Sequence, residues 1–497
     1  MTTDRETYDL IIIGGGISAT FLCLSIYKQD PSFKILIIEK SISFPQKIGE
    51  SLIDLSSIYV KSLGIKHILD QHTTKSGVRF LFNETNSSDL SLISEFASPT
   101  LPGLINGYHL DRKTFDQQLL DEVEKKGAVV IRPGNIIHSS FSEFNNELGV
   151  DLNGELIKVK SKWLVDASGR NRFIPNKLNW KDKKITLDTG AIMAHFENIA
   201  TEDLWDTQEN KYWETNSIGL RKYSTTSLMR RNSWWWIIRL NDTQTSIGVV
   251  FDKSKIKFDD YEKYFKEQLE NDIQLSLITK NAKQSKVYQV ENLPYVCEKI
   301  YTKGIALIGD SGASIDPLAS PGIELIGQQA IWLAELFTKE KKTGKFSQSS
   351  WNRYSKTFFK AYDSRISIYK IAYTFMHSYD IFSAWLKQGN YVYFGWIIYP
   401  SVVFKSRLKY PLKFNKIERL ALRYMKRRLS SINNNRDKYN RVSKHGPDTI
   451  SYSSVRVPKN LLFLVIPIRL LLKATWSYLR LEFVEIRYWV KSKSDKF

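Results

Sequence analysis

One segment near the N-terminus restricts the fold more than any other. Tyr8 to Ile13 is a short β-branched strand, Gly14-Gly15-Gly16-Ile17-Ser18-Ala19 follows it, and Thr20 to Tyr27 continues as an apolar helix. A second apolar run, Lys34 to Ile38, ends in Glu39. This is the order strand, glycine turn, helix, strand of a βαβ unit. Gly14 permits a tight turn, Gly16 lets the backbone approach a pyrophosphate, and Ala19 is small enough for the helix to pack on the strand. Gly15 and Ser18 lie in the same turn, and a carboxylate at Glu39 accepts bonds from ribose hydroxyls. The alternative is a structural βαβ unit with an empty crevice. The agreement of turn, helix, second strand and acidic terminus favours dinucleotide binding.

A distant stretch adds a second set of contacts. Gly304 to Ile308 reads as a strand and Glu324 to Ala334 as a helix, joined by a Gly/Pro-rich loop from Gly309-Asp310 to Pro321-Gly322-Ile323. A strand that ends in a carboxylate and a loop that feeds a helix N-terminus suit the ribityl chain and ring of a flavin. Asp310 can bond a sugar-like hydroxyl, and the free amides at the helix start can face the electron-rich edge of the ring. FAD is therefore preferred over NAD.

Composition bounds the rest. A chain of 497 residues is expected to hold at least two structural units, at roughly 100–200 residues each. The net charge of +20 suits an acidic partner such as anionic lipid, nucleic acid or an acidic carrier protein, or else reflects a lysine-rich proteome. No nucleic-acid recognition module is visible, so nucleic acid is not expected. Two cysteines, Cys23 and Cys297, build neither a disulfide framework nor a metal quartet, which points to no metal and to a reducing, cytoplasmic setting. The polar start, Met1 to Glu6, shows no signal or transit peptide, and no run of about 18 uncharged apolar residues suggests a spanning helix.

Further segments carry a resemblance. Gly49-Glu50-Ser51-Leu52, Gly107 to Asp116 before a helix expected over Gln117–Lys126, and Trp163 to Arg170 occur in order with Gly309-Asp310. Together they resemble the FAD-dependent monooxygenases of the flavin-dependent halogenase and geranylgeranyl-reductase group, over roughly residues 8–340. The resemblance implies that Arg112 and Asp310 contact FAD, that Ser51 lies near the flavin, and that Gly322 and Ile323 flank it. For Arg112 a surface salt bridge with Asp111 or Asp116 is the competing reading.

Two features narrow the resemblance towards halogenases. Lys75, in Thr74 to Phe82, matches a lysine that halogenases carry at the start of such a strand. Ser233-Trp234-Trp235-Trp236-Ile237-Ile238 resembles a W-x-W-x-I signature, read as Trp234, Trp236 and Ile238, with Arg239 where proline is usual. The implied chemistry runs through a flavin hydroperoxide and hypohalous acid, which an ammonium beside the substrate directs onto one ring carbon. Trp234 and Trp236 would form the wall that separates flavin from substrate. Against these stand a solvated strand-edge lysine and an ordinary core strand of three tryptophans. His195 reads as a packed histidine rather than a base.

Three further positions depart from the pattern. Asp54 stands where proline is usual after Gly-Glu-Ser. Ala319 stands where tryptophan halogenases carry a glutamate that assists ring deprotonation, which disfavours a tryptophan substrate. Pro321 removes one of two successive backbone N–H groups that would hold halide, leaving Gly322 and the adjoining Ile323. A charge-assisted hydrogen bond is worth about 1.5–3 kcal/mol, so its loss weakens halide capture by roughly 10- to 100-fold.

The expected architecture is α/β: a Rossmann-like FAD-binding domain with a mixed β-sheet substrate domain and a C-terminal helical region. Residues 1–185 and 300–345 would form the FAD-binding domain, with a substrate-domain insertion near 75–110. Residues 186–299 would form the substrate-domain sheet, interrupted by a helix near Tyr261–Ile278, and 346–497 a helical, basic C-terminal region. Leu461 to Val490 mixes apolar blocks, tryptophans and basic residues, which suits peripheral membrane contact or a helical lobe with a solvated basic face. With one dinucleotide fingerprint in the chain, a separate NAD(P)H-dependent flavin reductase is the expected source of reduced FAD. The expected activity is halogenation of an electron-rich phenolic aromatic, free or carrier-tethered, with halide as co-substrate. The alternatives are a hydroxylase that uses no halide and a geranylgeranyl-reductase-like enzyme.

Overall fold

The structure is a computed structural model that describes residues 6–379 apart from 84–85, 87–92, 100–105 and 201–220, together with 382–383, 385–386, 427 and 448–449. The basic stretch from Lys405, all but Arg427, the Asn-rich loop and Leu461 to Val490 lie outside the described residues.

Two large sheets organise the molecule. The first has strand order Tyr301–Thr302, Ile305–Leu307, Glu155–Asp166, Glu6–Ile13, Ile35–Ile38, Val129–Ile131. Its central strands are parallel, and the register pairs Ile13 with both Ile38 and Asp166, and Asp166 with Leu307. The carboxyl ends of four strands therefore finish level, which brings Gly14, Glu39, Ala167 and Gly309 to one edge. Strands so placed are buried on both faces, as the run Ile11-Ile12-Ile13 requires. The helix Ile17–Tyr27 is buried almost all round. It packs against the helices Arg112–Lys125 and Gly322–Thr343.

Among the described residues the second sheet has nine strands, running Lys283–Gln284, Thr189–Glu197, Gln244–Asp252, Ser233–Arg239, Ser224–Arg230, Gly77–Phe82, Ser94–Pro99 and Asp448–Thr449, with Tyr288–Val290 beside Thr189–Glu197. Most pairs are antiparallel, but Gly77–Phe82 lies parallel to Ser224–Arg230. One face of this sheet overlies the strand ends of the first sheet. The other is covered by helices Tyr261–Asn271 and Ile273–Thr279 through Phe265, Leu269, Leu275 and Ile278. A small third sheet, Ser51–Leu52, Gly107–His109 and Thr73–Lys75, sits between the two.

Local differences from expectation have clear causes. The helix expected from Gln117 begins at Arg112, because the Asp111 carboxylate accepts the Lys113 N–H at 3.2 Å and caps it. The helix expected over Tyr261–Ile278 is two helices, split at Asp272, whose carboxylate accepts the Gln274 and Leu275 N–H groups and starts the second. Thr74 to Phe82 is two strands that meet at Ser76, and Lys75 belongs to the small sheet.

Candidate functional site

A cavity of about 1220 Å³ runs from the strand ends of the first sheet to the underside of the second. Single small-molecule sites usually occupy about 300–1,000 Å³, so this one has room for a large cofactor and a second ring.

The cofactor end is built by backbone. Gly14 has φ +97°, and an added Cβ would lie 2.6 Å from the Ala167 carbonyl oxygen, so the turn excludes any other residue. The nearest atoms to a Cβ on Gly16 would be the Asp116 carboxylate at 3.6 Å and Lys47 Nζ at 3.7 Å, which leaves its backbone open to the cavity. Gly15 donates its N–H to Glu39 Oε2 at 2.7 Å, and Ser41 donates to Oε1 at 2.8 Å. The Glu39 carboxylate thus braces the turn while lining the cavity with lone pairs to spare. Gly15 itself and the buried Ala19 do not line the cavity; Ala19 packs in the core. Ser18 does line it and joins the two cofactor loops: a Cβ on Gly309 would lie 2.2 Å from Ser18 Oγ.

Arg112 is buried, not on the surface. It donates from Nε and Nη2 to the Asp116 carboxylate at 2.8 and 3.0 Å, and from Nη1 to the Ile48 carbonyl at 2.9 Å. It therefore holds the Ile48–Gly49 turn at the cavity rim, and the ion-pair reading of its partner Asp116 stands alongside its cavity-lining position. Asp310 lies on the cavity wall, and no described protein group donates to its carboxylate. Burial pushes its carboxyl up, opposed by Arg170 and Arg112. An unpartnered carboxylate beside an open glycine turn, with Gly322 presenting nothing within 4 Å of a notional Cβ, fits the hydroxyl-bearing chain and ring of FAD.

Lys75 is buried, with 4% of its surface exposed, and it lines the cavity. This excludes the solvated-lysine reading. The register of the small sheet pairs Lys75 with Gly107 and Ser51 with His109, which brings three distant segments together. Lys75 Nζ donates to Ser51 Oγ at 2.9 Å, Ser51 Oγ lies 3.1 Å from Thr225 Oγ1, and Thr225 Oγ1 lies 2.9 Å from His109 Nε2. His109 Nδ1 lies 2.9 Å from the Arg239 carbonyl, which only accepts. That one acceptor sets the direction of the whole chain. His109 donates from Nδ1, so its Nε2 accepts from Thr225, Thr225 accepts from Ser51, and Ser51 is left to accept from Lys75. Burial, then the Lys75 charge, push His109 down to about 3, so it stays neutral and the order holds. Burial pushes Lys75 itself down to about 8, partly offset by Asp54. Lys75 therefore keeps its other N–H groups for the cavity.

The tryptophan strand resolves by alternation. Trp234, Trp236 and Ile238 face the cavity, while Trp235 and Ile237 enter the core under the two covering helices. Trp236 Nε1 donates to Ser246 Oγ at 3.0 Å. Trp234 Nε1 donates to Tyr373 Oη at 3.0 Å, and Tyr373 donates to Asp316 Oδ2 at 2.7 Å. Asp316, in the flavin-side loop, also accepts from Thr189 Oγ1 at 2.8 Å. The loop and the tryptophan wall are thus one hydrogen-bonded assembly. Sequence reading missed Asp316, Tyr373, Thr225 and His109, because residues 57 to 139 positions apart carry no shared local signal. His195 is packed, 2.6 Å from Glu50 Oε1 through Nε2.

The loop reaches its helix through two left-handed residues, Ala319 at φ +63° and Ser320 at φ +54°. Such backbone costs about 1–2 kcal/mol per non-glycine residue and tends to be retained at functional sites. Pro321 caps the helix Gly322–Thr343, whose first amides have no intrahelical acceptor. Ser320, Gly322 and Ile323 all line the cavity.

Comparison with known proteins agrees with this arrangement. The sequence model described as tryptophan halogenase matches residues 83–380, more than half of the chain. The chain belongs to the tryptophan halogenase family. It is accordingly an enzyme, an FAD-dependent oxidoreductase of the halogenase type. It is 25% identical over 368 residues to the 1H-pyrrole-2-carbonyl-(peptidyl-carrier protein) chlorinase of Pseudomonas fluorescens, covering 70% of this chain and 79% of that one. It is 24% identical over 359 residues to the digeranylgeranylglycerophospholipid reductase of Methanocaldococcus jannaschii, covering 71% and 82%. Its fold matches the crystal structure of halogenase PltM in complex with phloroglucinol and FAD with a TM-score of 0.75 at 17% identity, covering 86% of this chain and 92% of that one. The α/β architecture, a Rossmann-like sheet joined to a mixed sheet, is that of these halogenases. No described helix is long and apolar enough to cross a membrane.

Proposed function

We propose that this halogenase acts on an electron-rich, phenol-type aromatic, free or tethered to a carrier, with Lys75 as the catalytic residue that delivers hypohalous acid to the ring. The observation that carries the reading is the buried Lys75 ammonium, which donates to Ser51 Oγ, in the cavity walled by Trp234 and Trp236. When bound, reduced FAD supplies with oxygen the oxidation that halide needs. Gly14, Gly16, Ser18, Glu39, Arg112 and Asp310 would hold it, and Ser51, Gly322 and Ile323 would border its ring. The amide of Gly322 would hold the halide. Lys75 donates to the hypohalous acid, and the indoles keep the ring that oxidises halide apart from the ring that is halogenated. The chlorinase of a carrier-bound pyrrole and the PltM complex with a phenol support an aromatic substrate of this class.

A test supplies FAD-loaded enzyme with chemically reduced flavin, oxygen, bromide and a panel of reactive phenols, with catalase present. The expected result is brominated phenol from the wild type and none from Lys75→Ala, with FAD retained by both. Pro321 favours a second reading, direct hydroxylation without halide, because it removes one halide donor. Hydroxylated product that forms equally well without bromide would establish that reading instead.

A separate NAD(P)H-dependent reductase is proposed as the source of reduced FAD, which a coupled assay with and without such a reductase checks. The basic C-terminal sequence is proposed to touch anionic membrane. Flotation with anionic liposomes is expected to be lost when residues 400–497 are removed, and unchanged flotation would reject the anchor.

A further inference from the structure

Asp54 takes no part in the steps above. It is the first residue of the helix Asp54–Ser62 and stands where the halogenase pattern has proline. It lines the same cavity as Lys75, and no ion pair or hydrogen bond joins the two. Its Oδ1 is shielded from solvent and accepts no hydrogen bond. A shielded carboxylate oxygen without a donor is rare in folded proteins, and the residue that carries it lines a cavity whose wall is largely apolar. The helix N-terminus favours the anion at this position.

We propose that Asp54 is a substrate-contacting acid/base residue whose carboxylate accepts the O–H or N–H of the aromatic substrate. The proposal rests on the halogenation reading and deepens it: the substrate class becomes aromatics that bear an ionisable O–H or N–H conjugated with the reacting carbon. The step balances without a further reagent. The ring attacks the halogen of hypohalous acid, a C–X bond forms and the X–O bond breaks. The departing hydroxide takes a proton from the Lys75 ammonium and leaves as water, while the substrate O–H proton passes to Asp54. The resulting dienone regains its O–H proton from Asp54 and gives its C–H proton to the Lys75 amine. Both side chains end as they began, and the sum is ArH + HOX giving ArX + water.

The environment suits both roles. Burial pushes the Asp54 carboxyl up to about 6, against the opposing charge of Lys75, its own backbone N–H and the charge of Lys61 on its own helix. At neutral pH it is an anion that a small change in surroundings protonates.

The test uses the full-length, FAD-loaded protein and two probes, resorcinol and 1,3-dimethoxybenzene, which differ in the O–H donor. Asp54→Asn keeps the shape. Asp54→Pro also keeps the helix, because proline suits the first helical position and Ile53 before it is already extended at φ −86°, ψ 167°. By calorimetry, the wild type is expected to bind resorcinol about tenfold or more tightly than the ether above pH 6, with the preference shrinking as pH falls through about 6. Asp54→Pro is expected to bind the two probes alike at every pH, and Asp54→Asn, whose amide oxygen still accepts, to keep at most a smaller preference that does not change with pH. A full preference that survives in folded Asp54→Pro, one in Asp54→Asn that still shrinks as pH falls, or a wild type that does not discriminate, overturns the proposal. Failure of the halogenation reading appears separately, as absence of brominated product while the binding preference holds.

Discussion

At the scale of single residues, Lys75 and Asp54 set a pH window. The Lys75 ammonium is a donor below about 8 and is lost as pH rises through that value. The Asp54 carboxylate is an acceptor above about 6 and is lost as pH falls through that value. A reaction that needs the ammonium and the carboxylate together therefore has a bell-shaped profile of kcat/KM with its plateau between about 6 and about 8. Asp54→Asn is expected to flatten the acid limb and leave the alkaline limb in place. Lys75 was legible in the sequence through its resemblance to a motif lysine. Its burial and its tie to Ser51 were not, because the register that pairs residues 51, 75 and 107–109 comes from three separate segments.

At the scale of elements, the strand Ser233–Arg239 shows how one pattern serves two cores. Its period of two sends alternate tryptophans to the cavity and to the covering helices, so both sequence readings, wall and packed strand, hold for different residues. The cavity-facing Trp236 depends on its cross-strand neighbour. Gly248 is paired with it, and an added Cβ would lie 2.2 Å from the indole Cζ2. Gly248→Ala is expected to destabilise the fold by about 1–3 kcal/mol through overpacking, or to push the indole into the cavity. Denaturant unfolding together with substrate affinity checks this: one or both must fall.

At the scale of the whole molecule, the site exists only where the sheets meet. The chain Trp234–Tyr373–Asp316–Thr189 ties the strand of tryptophans, the flavin-side loop and the helix Gln348–Phe375 into one unit. Glu50, which leads into the small sheet, and His195 of the second large sheet make a further link. Tyr373→Phe strands the Trp234 N–H and leaves Asp316 Oδ2 with Thr189 as its remaining donor, and is expected to cost about 1–3 kcal/mol of stability. Hydrogen exchange in residues 317–322 should rise in the same variant; unchanged exchange would mean the loop is held by other contacts. The division into an FAD-binding domain and a substrate domain is proposed to follow these sheets, with residues 75–110 given to the second.

By itself, the sequence determined the βαβ unit, the second flavin-side loop, the ordered motifs that place the chain among halogenases, and the positions where it departs from them. These are local: a glycine turn, a strand ending in a carboxylate, or a proline without an N–H acts within a few residues. Tertiary structure decided which of those residues meet. It alone turned Lys75 from a lysine among many into a buried donor with a set partner. It placed Arg112 against Asp116 beneath the cavity rim and split the three tryptophans between two cores. It also set Asp54 in the cavity lining with one shielded carboxylate oxygen unpartnered. Each outcome depends on strand register and sheet stacking, which long-range packing specifies and no short stretch of chain encodes.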